Sequence, residues 1–181
     1  MKPWLHPLES PLGTLLAAAN HEGALVYLGF ADHEPRQALL RSLEATQETL
    51  TRDSSALDLL RDQLDAYFRG SRQRFDVPLE LRGTPFRRRV WEELQRIPFG
   101  AALSYGELAK RLGDSKLSRA VGAANGANPV SILVPCHRVI GANGRLTGYA
   151  GGLGNKEALL SLELAFSPRK DSIRAPAPLP G

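Results

Sequence analysis

Cysteine is almost absent from this sequence: its 181 residues contain a single one, Cys136. An intramolecular disulfide is therefore excluded, and the value of the residue must lie in packing, in metal binding with other ligands, or in its own reactivity. Long apolar runs are also missing, because no stretch approaches the roughly 20 residues that cross a bilayer. The opening residues MKPWLH lack the apolar centre of a signal peptide. We therefore expect a reducing, cytoplasmic setting and no membrane partner.

Histidine is scarce as well, with four residues in the whole chain. His6, His21 and His33 show no metal-ligand spacing, and no cysteine precedes Cys136 to join them. The sequence therefore predicts no zinc site in the first half, and we expect neither a metal nor a cofactor.

Charge is distributed unevenly along the chain. The net charge is +4, but residues 1–83 carry −3 and residues 84–166 carry +5. A basic half joined to a mildly acidic one favours a polyanion such as nucleic acid as partner of the second half. On charge alone, an ordinary solvated basic surface explains the pattern equally well.

The first half has the pattern of a small scaffold of strands and helices. Residues 14–19 and 24–30 are apolar-rich and flank the turn-like cluster NHEG, which predicts a β-hairpin. Pro35 can begin one helix, and Ser54 or Ser55 a second, whose leucines recur at helical spacing up to Gly70. A short strand is predicted over residues 75–81. No chemistry is evident in this half.

The second half has the pattern of a helix-turn-helix. Thr84 and Pro85 can begin a helix, and Ser104 with Glu107 forms a capping-box pattern ahead of a second, short one. A turn at residues 113–115 then leads to a predicted helix from about residue 116 to residue 127. We expect Leu117, Ala120, Val121 and Ala124 to face the core, and Lys116, Arg119, Ala123 and Gly126 to share the opposite face.

Cys136 follows an apolar run, residues 130–134, which predicts a buried strand that brings the thiol to the edge of the core. His137 and Arg138 come next and can favour a thiolate electrostatically. A core cysteine beside a surface histidine is the plain alternative. Residues 140–146 predict a tight turn, and the glycine-rich residues 147–152 predict a flexible wall of a pocket. Asn155 is predicted to cap a last helix that ends near Leu164.

Six ordered motifs resemble those of the O6-alkylguanine-DNA alkyltransferases, which are DNA repair proteins. The motifs are GTPF at 83–86, SYG at 104–106, RAVG at 119–122, NP at 128–129, PCHRV at 135–139 and GY at 148–149. The resemblance is close from Gly83 to about Leu164 and weaker across the first half. It implies an α/β (α+β) fold, with a sheet-plus-helix N-terminal domain (1–82) and a mostly helical domain (83–166) that carries the helix-turn-helix and the cysteine. The proline-rich composition of residues 167–181 predicts a disordered tail.

The resemblance implies a self-sacrificing reaction without a cofactor. Each molecule transfers a single methyl or larger alkyl group to Cys136. The group comes from O6 of guanine, and O4 of thymine is implied as a second source. His137 is implied as the base acting through a water, and Glu157 as the carboxylate that orients it. Asn128 is implied to orient the cysteine loop, and Tyr149 to donate a proton to the leaving base.

The resemblance also implies that double-stranded DNA is bound through its minor groove, with the damaged base rotated out of the stack. Tyr105 is implied to press on the phosphate and Arg119 to fill the gap left by the base. The implied DNA-binding residues are Tyr105, Arg119, Ala120, Gly122, Ala123, Gly126 and Arg138. We expect the protein to be a monomer. Cooperative binding of several molecules along DNA is left open as an alternative. If the source is a bacterium, we expect the protein to associate with the nucleoid.

Three other functions stay open at the level of sequence. A Cys-His hydrolase would use the same two residue types, although its cysteine and histidine usually lie far apart in the chain. A helix-turn-helix regulator would leave Cys136 idle. A non-catalytic binder of alkylated bases would share the DNA-binding residues, but such proteins lack the cysteine.

Overall fold

The structure is a computed structural model that describes residues 5–32 and 55–168. The chain divides into two compact units, Met1–Arg82 and Gly83–Gly181. The helix predicted to begin at Pro35, and the tail beyond Pro168, lie outside the described residues. Ser167, which the sequence analysis assigned to the disordered tail, is buried.

In the described part of the first unit, a three-stranded antiparallel sheet is accompanied by one helix. Its strands are β1 (His6–Leu8), β2 (Leu15–Ala19) and β3 (Leu25–Phe30), in the order β1-β2-β3. The predicted hairpin is confirmed as β2 and β3. Its turn is closed by the Asn20 side chain, whose Oδ1 accepts from the backbone N–H of Glu22 at 3.0 Å and of Ala24 at 2.9 Å.

The predicted second helix is confirmed as α1 (Ser55–Phe68), which buries Leu57, Leu60, Leu64 and Tyr67. The predicted strand over residues 75–81 is wrong. Only one bridge forms there, between Leu25 and Leu79. Leu25 donates to the Pro78 carbonyl at 2.8 Å and accepts from Glu80 at 3.0 Å. Pro78 itself has no N–H to extend such a ladder.

The second unit is mostly helical. Its helices are α2 (Pro85–Gln95), α3 (Tyr105–Arg111), α4 (Ser118–Gly126) and α5 (Leu153–Phe166), and a two-stranded parallel pair joins β4 (Leu103–Ser104) to β5 (Val139–Ile140). Thr84 caps α2 by accepting from Arg87 N at 3.3 Å. The capping box of α3 is confirmed, because Ser104 and Glu107 each accept from the other's backbone N–H.

Helices α2 and α3 both pack on α4. Trp91 of α2 is buried and donates through Nε1 to the Ala124 carbonyl of α4 at 2.8 Å. The single helix predicted over residues 116–127 is instead a 3₁₀ turn, Ser115–Leu117, followed by α4. Asp114 caps that turn by accepting from Lys116 N at 2.8 Å, which starts the helical backbone before α4 begins.

Two further predictions around the cysteine are wrong. Residues 130–134 form a buried turn rather than a strand, and Ile132 within it adopts a φ of 71°. The last helix begins at Leu153, with Gly152 at its N-cap, so Asn155 lies inside its first turn. The predicted turn at residues 140–146 is confirmed, since Gly144 N donates to the Gly141 carbonyl at 2.9 Å. No helix in the two described ranges is long and apolar enough to cross a membrane.

Gly100 occupies a position that a side chain cannot enter. Its φ is +75°, and an added Cβ would lie 2.5 Å from Cβ of Ser167. We predict that Gly100→Ala lowers the free energy of unfolding by about 2–4 kcal/mol, because backbone strain and overpacking add. Gly113→Ala is the matched control: its φ is +106°, but nothing lies within 4 Å of the added Cβ. Urea unfolding should show the larger loss at Gly100, and equal losses would contradict the packing argument.

Candidate active site

Cys136 is the first residue of a 3₁₀ turn, Cys136–Arg138, that follows Pro135. The cysteine is 4% exposed. Its backbone N–H donates to the Val134 carbonyl at 2.8 Å, so the preceding buried turn closes directly against the residue that carries the sulfur. The thiol is therefore held by a tight, buried turn rather than by the end of a strand.

Asn128 connects that turn to the sulfur. Its Nδ2 donates to Cys136 Sγ at 3.0 Å and to the Val134 carbonyl at 2.8 Å, and its Oδ1 accepts from Val130 N at 3.0 Å. Asn128 is buried. A donor on sulfur favours the thiolate over the thiol, so the amide both shapes the turn and stabilises the reactive form.

Asn125 is a second buried amide at the turn, which the sequence analysis missed. It lies on α4 and donates through Nδ2 to the Cys136 carbonyl at 3.3 Å. An asparagine near a helix C-terminus is an ordinary sequence feature, so only the packing of α4 against the turn reveals this contact.

His137 forms a hydrogen bond with a buried carboxylate. Its Nε2 lies 2.8 Å from Oε1 of Glu163, and both side chains are completely buried. Burial lowers the pKa of His137 and outweighs the carboxylate, which raises it. The neutral imidazole therefore donates from Nε2 to the ionised Glu163, and its lone pair resides on Nδ1, which has no hydrogen-bond partner among the described residues. An imidazole in this tautomer can accept a proton.

The carboxylate on His137 is Glu163, and the prediction of Glu157 in this position is wrong. Residues 156, 159, 160 and 163 follow the i, i+3, i+4, i+7 spacing, and all four are buried on one face of α5. Glu157 is only half-buried. Six residues separate it from Glu163, which corresponds to about 240° around a helix, so Glu157 points elsewhere.

Arg138 is a buried structural cation, so its predicted place among the DNA-binding residues is wrong. The residue is 5% exposed. Its Nε and Nη2 each donate to Glu163 at 2.8 Å, and Nη1 donates to the Ile97 carbonyl at 2.6 Å. The guanidinium also lies 5.9 Å from the Phe99 ring centroid. With these contacts the side chain cannot extend to a ligand on the surface.

Glu163 accepts four hydrogen bonds, two from Arg138, one from His137 and one from the backbone N–H of Gly100 at 3.1 Å. Burial raises the pKa of Glu163, but the hydrogen bond from His137 and the charge and hydrogen bonds of Arg138 prevail and hold it well below its ordinary value. The carboxylate is therefore ionised at neutral pH.

Tyr105 lies at the start of α3, half-buried. Its hydroxyl donates to the Thr147 carbonyl at 3.2 Å, next to Gly148 in the glycine-rich loop. Burial raises the pKa of Tyr105, so the hydroxyl is protonated and able to donate. A Cβ at Gly122 would lie 3.8 Å from its ring, which places α4 directly against it.

The exposed face of α4 carries small side chains and one arginine. Arg119, Ala120, Ala123 and Gly126 are exposed, whereas Gly122 is half-buried. The expectation that Ala120 faces the core is therefore wrong, while Val121 and Ala124 are buried as predicted. On this face of α4, Arg119 is therefore a long side chain among alanines and glycine.

Tyr149 lies half-buried in the loop between the turn at 141–144 and α5, with its hydroxyl oxygen buried. Its carbonyl accepts from Gly152 N at 3.0 Å. The same loop is held by Lys156, a completely buried residue that the sequence analysis missed. Within the described residues, no group of three or more histidine, cysteine or acidic side chains could hold a metal ion.

Two family models match the chain. The 6-O-methylguanine DNA methyltransferase DNA binding domain matches residues 85–165, and the 6-O-methylguanine DNA methyltransferase ribonuclease-like domain matches residues 6–81.

Curated relatives share this similarity over most of their length. Methylated-DNA--protein-cysteine methyltransferase of Mycobacterium tuberculosis is 47% identical over 161 residues, which cover 89% of this chain and 92% of the relative. The protein of that name from Methanosarcina acetivorans is 48% identical over 155 residues, covering 86% and 94%.

Solved structures agree in fold. O6-methylguanine methyltransferase of Mycobacterium tuberculosis has a TM-score of 0.77 at 44% identity and covers 93% of this chain and 96% of its own. A structure of Mycobacterium tuberculosis OGT in complex with DNA has a TM-score of 0.75 at 44% identity, covering 90% and 94%.

Glu163 and Glu157 lie on the same helix, which makes them a matched pair for testing the buried network. We predict that Glu163→Gln lowers the free energy of unfolding by about 3 kcal/mol or more, because Arg138 is left buried without its counter-charge. Glu157→Gln should change it by no more than about 0.5 kcal/mol. Urea unfolding at pH 7 measures both, and a larger loss in the Glu157 variant would refute the assignment.

Proposed function

Because the chain belongs to the 6-O-methylguanine DNA methyltransferase family, we propose that it repairs DNA by direct reversal, transferring an alkyl group from a DNA base to Cys136. The observation that carries this proposal is the amide of Asn128 on the sulfur, 3.0 Å away, next to a buried histidine that is neutral and held by Glu163. An ordinary thiol has a pKa near 8.5, so it needs such a base and such a donor to react at neutral pH.

The transfer is a single displacement. The sulfur of Cys136 forms a bond to the alkyl carbon while the bond from that carbon to O6 of guanine breaks, and the electron pair stays with the base. The thiol proton passes to Nδ1 of His137 through a water, and a proton delivered to the purine leaves a neutral guanine. Tyr149 is the proposed donor, since its hydroxyl belongs to the loop that adjoins the site. The thioether product is not reversed, so each molecule reacts once.

Glu163 and Arg138 act on this reaction through His137. Glu163 accepts from Nε2 and so fixes the tautomer in which Nδ1 is the base. Arg138 binds the same carboxylate at both oxygens, which keeps it ionised and limits how strongly it can raise the pKa of the imidazole. Both residues therefore position and tune the base, while Cys136 and the substrate undergo the bond changes.

DNA is bound through α3 and α4, in the proposed arrangement. The exposed small residues Ala120, Ala123 and Gly126, with half-buried Gly122 behind them, support the entry of α4 into a narrow minor groove, because longer side chains would be excluded there. Arg119 projects from this face and fills the place of the base that rotates out. The Tyr105 hydroxyl, which donates to the Thr147 carbonyl here, can exchange that acceptor for a backbone phosphate.

The proposed substrate is double-stranded DNA that contains O6-alkylguanine, with O4-alkylthymine as a second substrate. A monomer is sufficient for the reaction, because every residue assigned to it lies between residues 105 and 163 of one chain.

The first test follows the alkyl group. We predict that DNA carrying O6-methylguanine with a labelled methyl group transfers the label to the peptide that contains Cys136, with a gain of one methyl mass. Cys136→Ala should transfer nothing and still bind the same duplex within about threefold of the unaltered protein. Label that remains on DNA in the unaltered protein, or transfer by the alanine variant, contradicts the proposal.

The second test concerns Arg119. We predict that Arg119→Ala slows transfer from duplex DNA at least tenfold, roughly 1.4 kcal/mol, but changes reaction with the free base O6-methylguanine less than twofold. Lys116→Ala removes an exposed cation just before α4 and serves as the matched control for charge. Equal losses on both substrates in the Arg119 variant would show that the arginine does not act on a rotated base.

A further inference from the structure

Lys156 is the one completely buried lysine in the described part of the chain. It lies in the first turns of α5, and its Nζ donates to the Val139 carbonyl at 2.5 Å and to the Thr147 carbonyl at 2.8 Å. The Gly148 carbonyl is 3.5 Å away. All of these acceptors are neutral, and no carboxylate of the described residues pairs with the ammonium. A buried lysine without a counter-ion is costly and calls for an explanation.

The charges buried around the cysteine do not balance. Among the described residues of the second unit, the buried ionisable side chains other than Cys136 are His137, Arg138, Lys156 and Glu163. With His137 neutral, Arg138 and Glu163 cancel, and the charge of Lys156 remains. Tyr105 approaches from α3 but is held protonated, since burial raises its pKa. The group left to become the missing anion is the thiol of Cys136.

Lys156 is held against the turn that carries the cysteine: the Val139 carbonyl that it binds belongs to the residue that caps this turn, and the Val139 N–H donates to the Cys136 carbonyl. Burial lowers the pKa of Lys156 to about 8, and the charge of Cys136 opposes that shift and raises it. At pH 7 the side chain is therefore still protonated and cationic. The same cation lowers the pKa of His137 further, which helps to keep the imidazole a neutral proton acceptor.

We propose that Lys156 is the buried counter-charge of the Cys136 thiolate and thereby a positioning residue for the nucleophile. Its charge reaches the sulfur through a low-dielectric interior, where two unit charges several ångströms apart interact much more strongly than in water. The backbone carbonyls hold the ammonium in place without neutralising it. The inference rests on the proposed function only in taking the thiolate of Cys136 as the nucleophile.

A purely structural role predicts something different. By binding Thr147 and Gly148, Lys156 also anchors the loop that carries Tyr149. If that were its whole contribution, replacing it would change access to the pocket and the reaction with DNA, but it would leave the pH at which the thiol ionises unchanged. The pH dependence of sulfur reactivity therefore separates the two roles.

The test uses iodoacetamide, a small neutral reagent that reads the thiolate fraction of the chain's single cysteine as a function of pH. The midpoint is the pH at which the alkylation rate of Cys136 reaches half of its maximum. We expect Lys156→Met to raise this midpoint by about one unit or more, so that alkylation at pH 7 is roughly tenfold slower. Lys156→Arg, which keeps the charge, should stay within a few tenths of a unit, and so should Lys110→Met, which removes an exposed cation of α3. An unshifted midpoint in folded Lys156→Met overturns the proposal.

A second measurement needs no substitution and remains valid if Lys156→Met does not fold. Coupling between two groups is reciprocal, so converting Cys136 to its neutral carbamidomethyl thioether should lower the pKa of Lys156, followed by NMR of its Nζ. An unchanged pKa of Lys156 would also overturn the proposal. Neither measurement contains DNA, so failure to transfer a methyl group would reject the repair function and leave this result standing.

Discussion

The carboxylate of Glu163 is the interaction on which the second unit depends. It is completely buried and accepts from the Arg138 guanidinium twice, from the His137 ring and from the Gly100 backbone. These donors come from the loop after α2 and from the 3₁₀ turn of the cysteine, while the carboxylate itself belongs to α5. A buried charge is tolerated only when it is paired and fully hydrogen-bonded. The same contact that closes the fold therefore also fixes the tautomer of the histidine next to Cys136.

Around this carboxylate, the buried polar groups form hydrogen bonds with one another and with the backbone. Asn128 and Asn125 satisfy the backbone of the cysteine turn, and Asn128 also donates to the sulfur. Asn128 bonds to the backbone of Val130 and of Val134, and Ile132, with its strained φ, lies between these two residues. The turn is therefore maintained by side-chain hydrogen bonds and packing rather than by a β-ladder. Asn128 thus donates to the thiol, while hydrogen bonds hold the neutral ring of His137 and the buried cation of Lys156 on neighbouring segments.

Local signals predicted the parts of the structure that local interactions build. The capping box at Ser104 and Glu107, the proline after Thr84 and the hairpin turn at Asn20 each act within a few residues, and each formed as expected. The errors arise where tertiary packing decides. An apolar run of five residues reads equally well as a strand or as a buried turn. Choosing between Glu157 and Glu163 required the phase of α5, because both are glutamates on one helix. A signal was present: Lys156 and Glu163 share the i, i+3, i+4, i+7 face with Leu159 and Leu160, a face otherwise apolar.

If His137 takes the proton of the Cys136 thiol, its ring must be neutral at pH 7, and ¹⁵N NMR of the imidazole in the unmodified protein measures this. We predict a neutral ring with its proton on Nε2, shared with Glu163, and an unprotonated Nδ1, because burial lowers the pKa of His137 below its ordinary value of 6.5. A ring that carries its proton on Nδ1, or that is already cationic at pH 7, could not take a proton from the thiol in this way, and either result would contradict the role of His137 as the base.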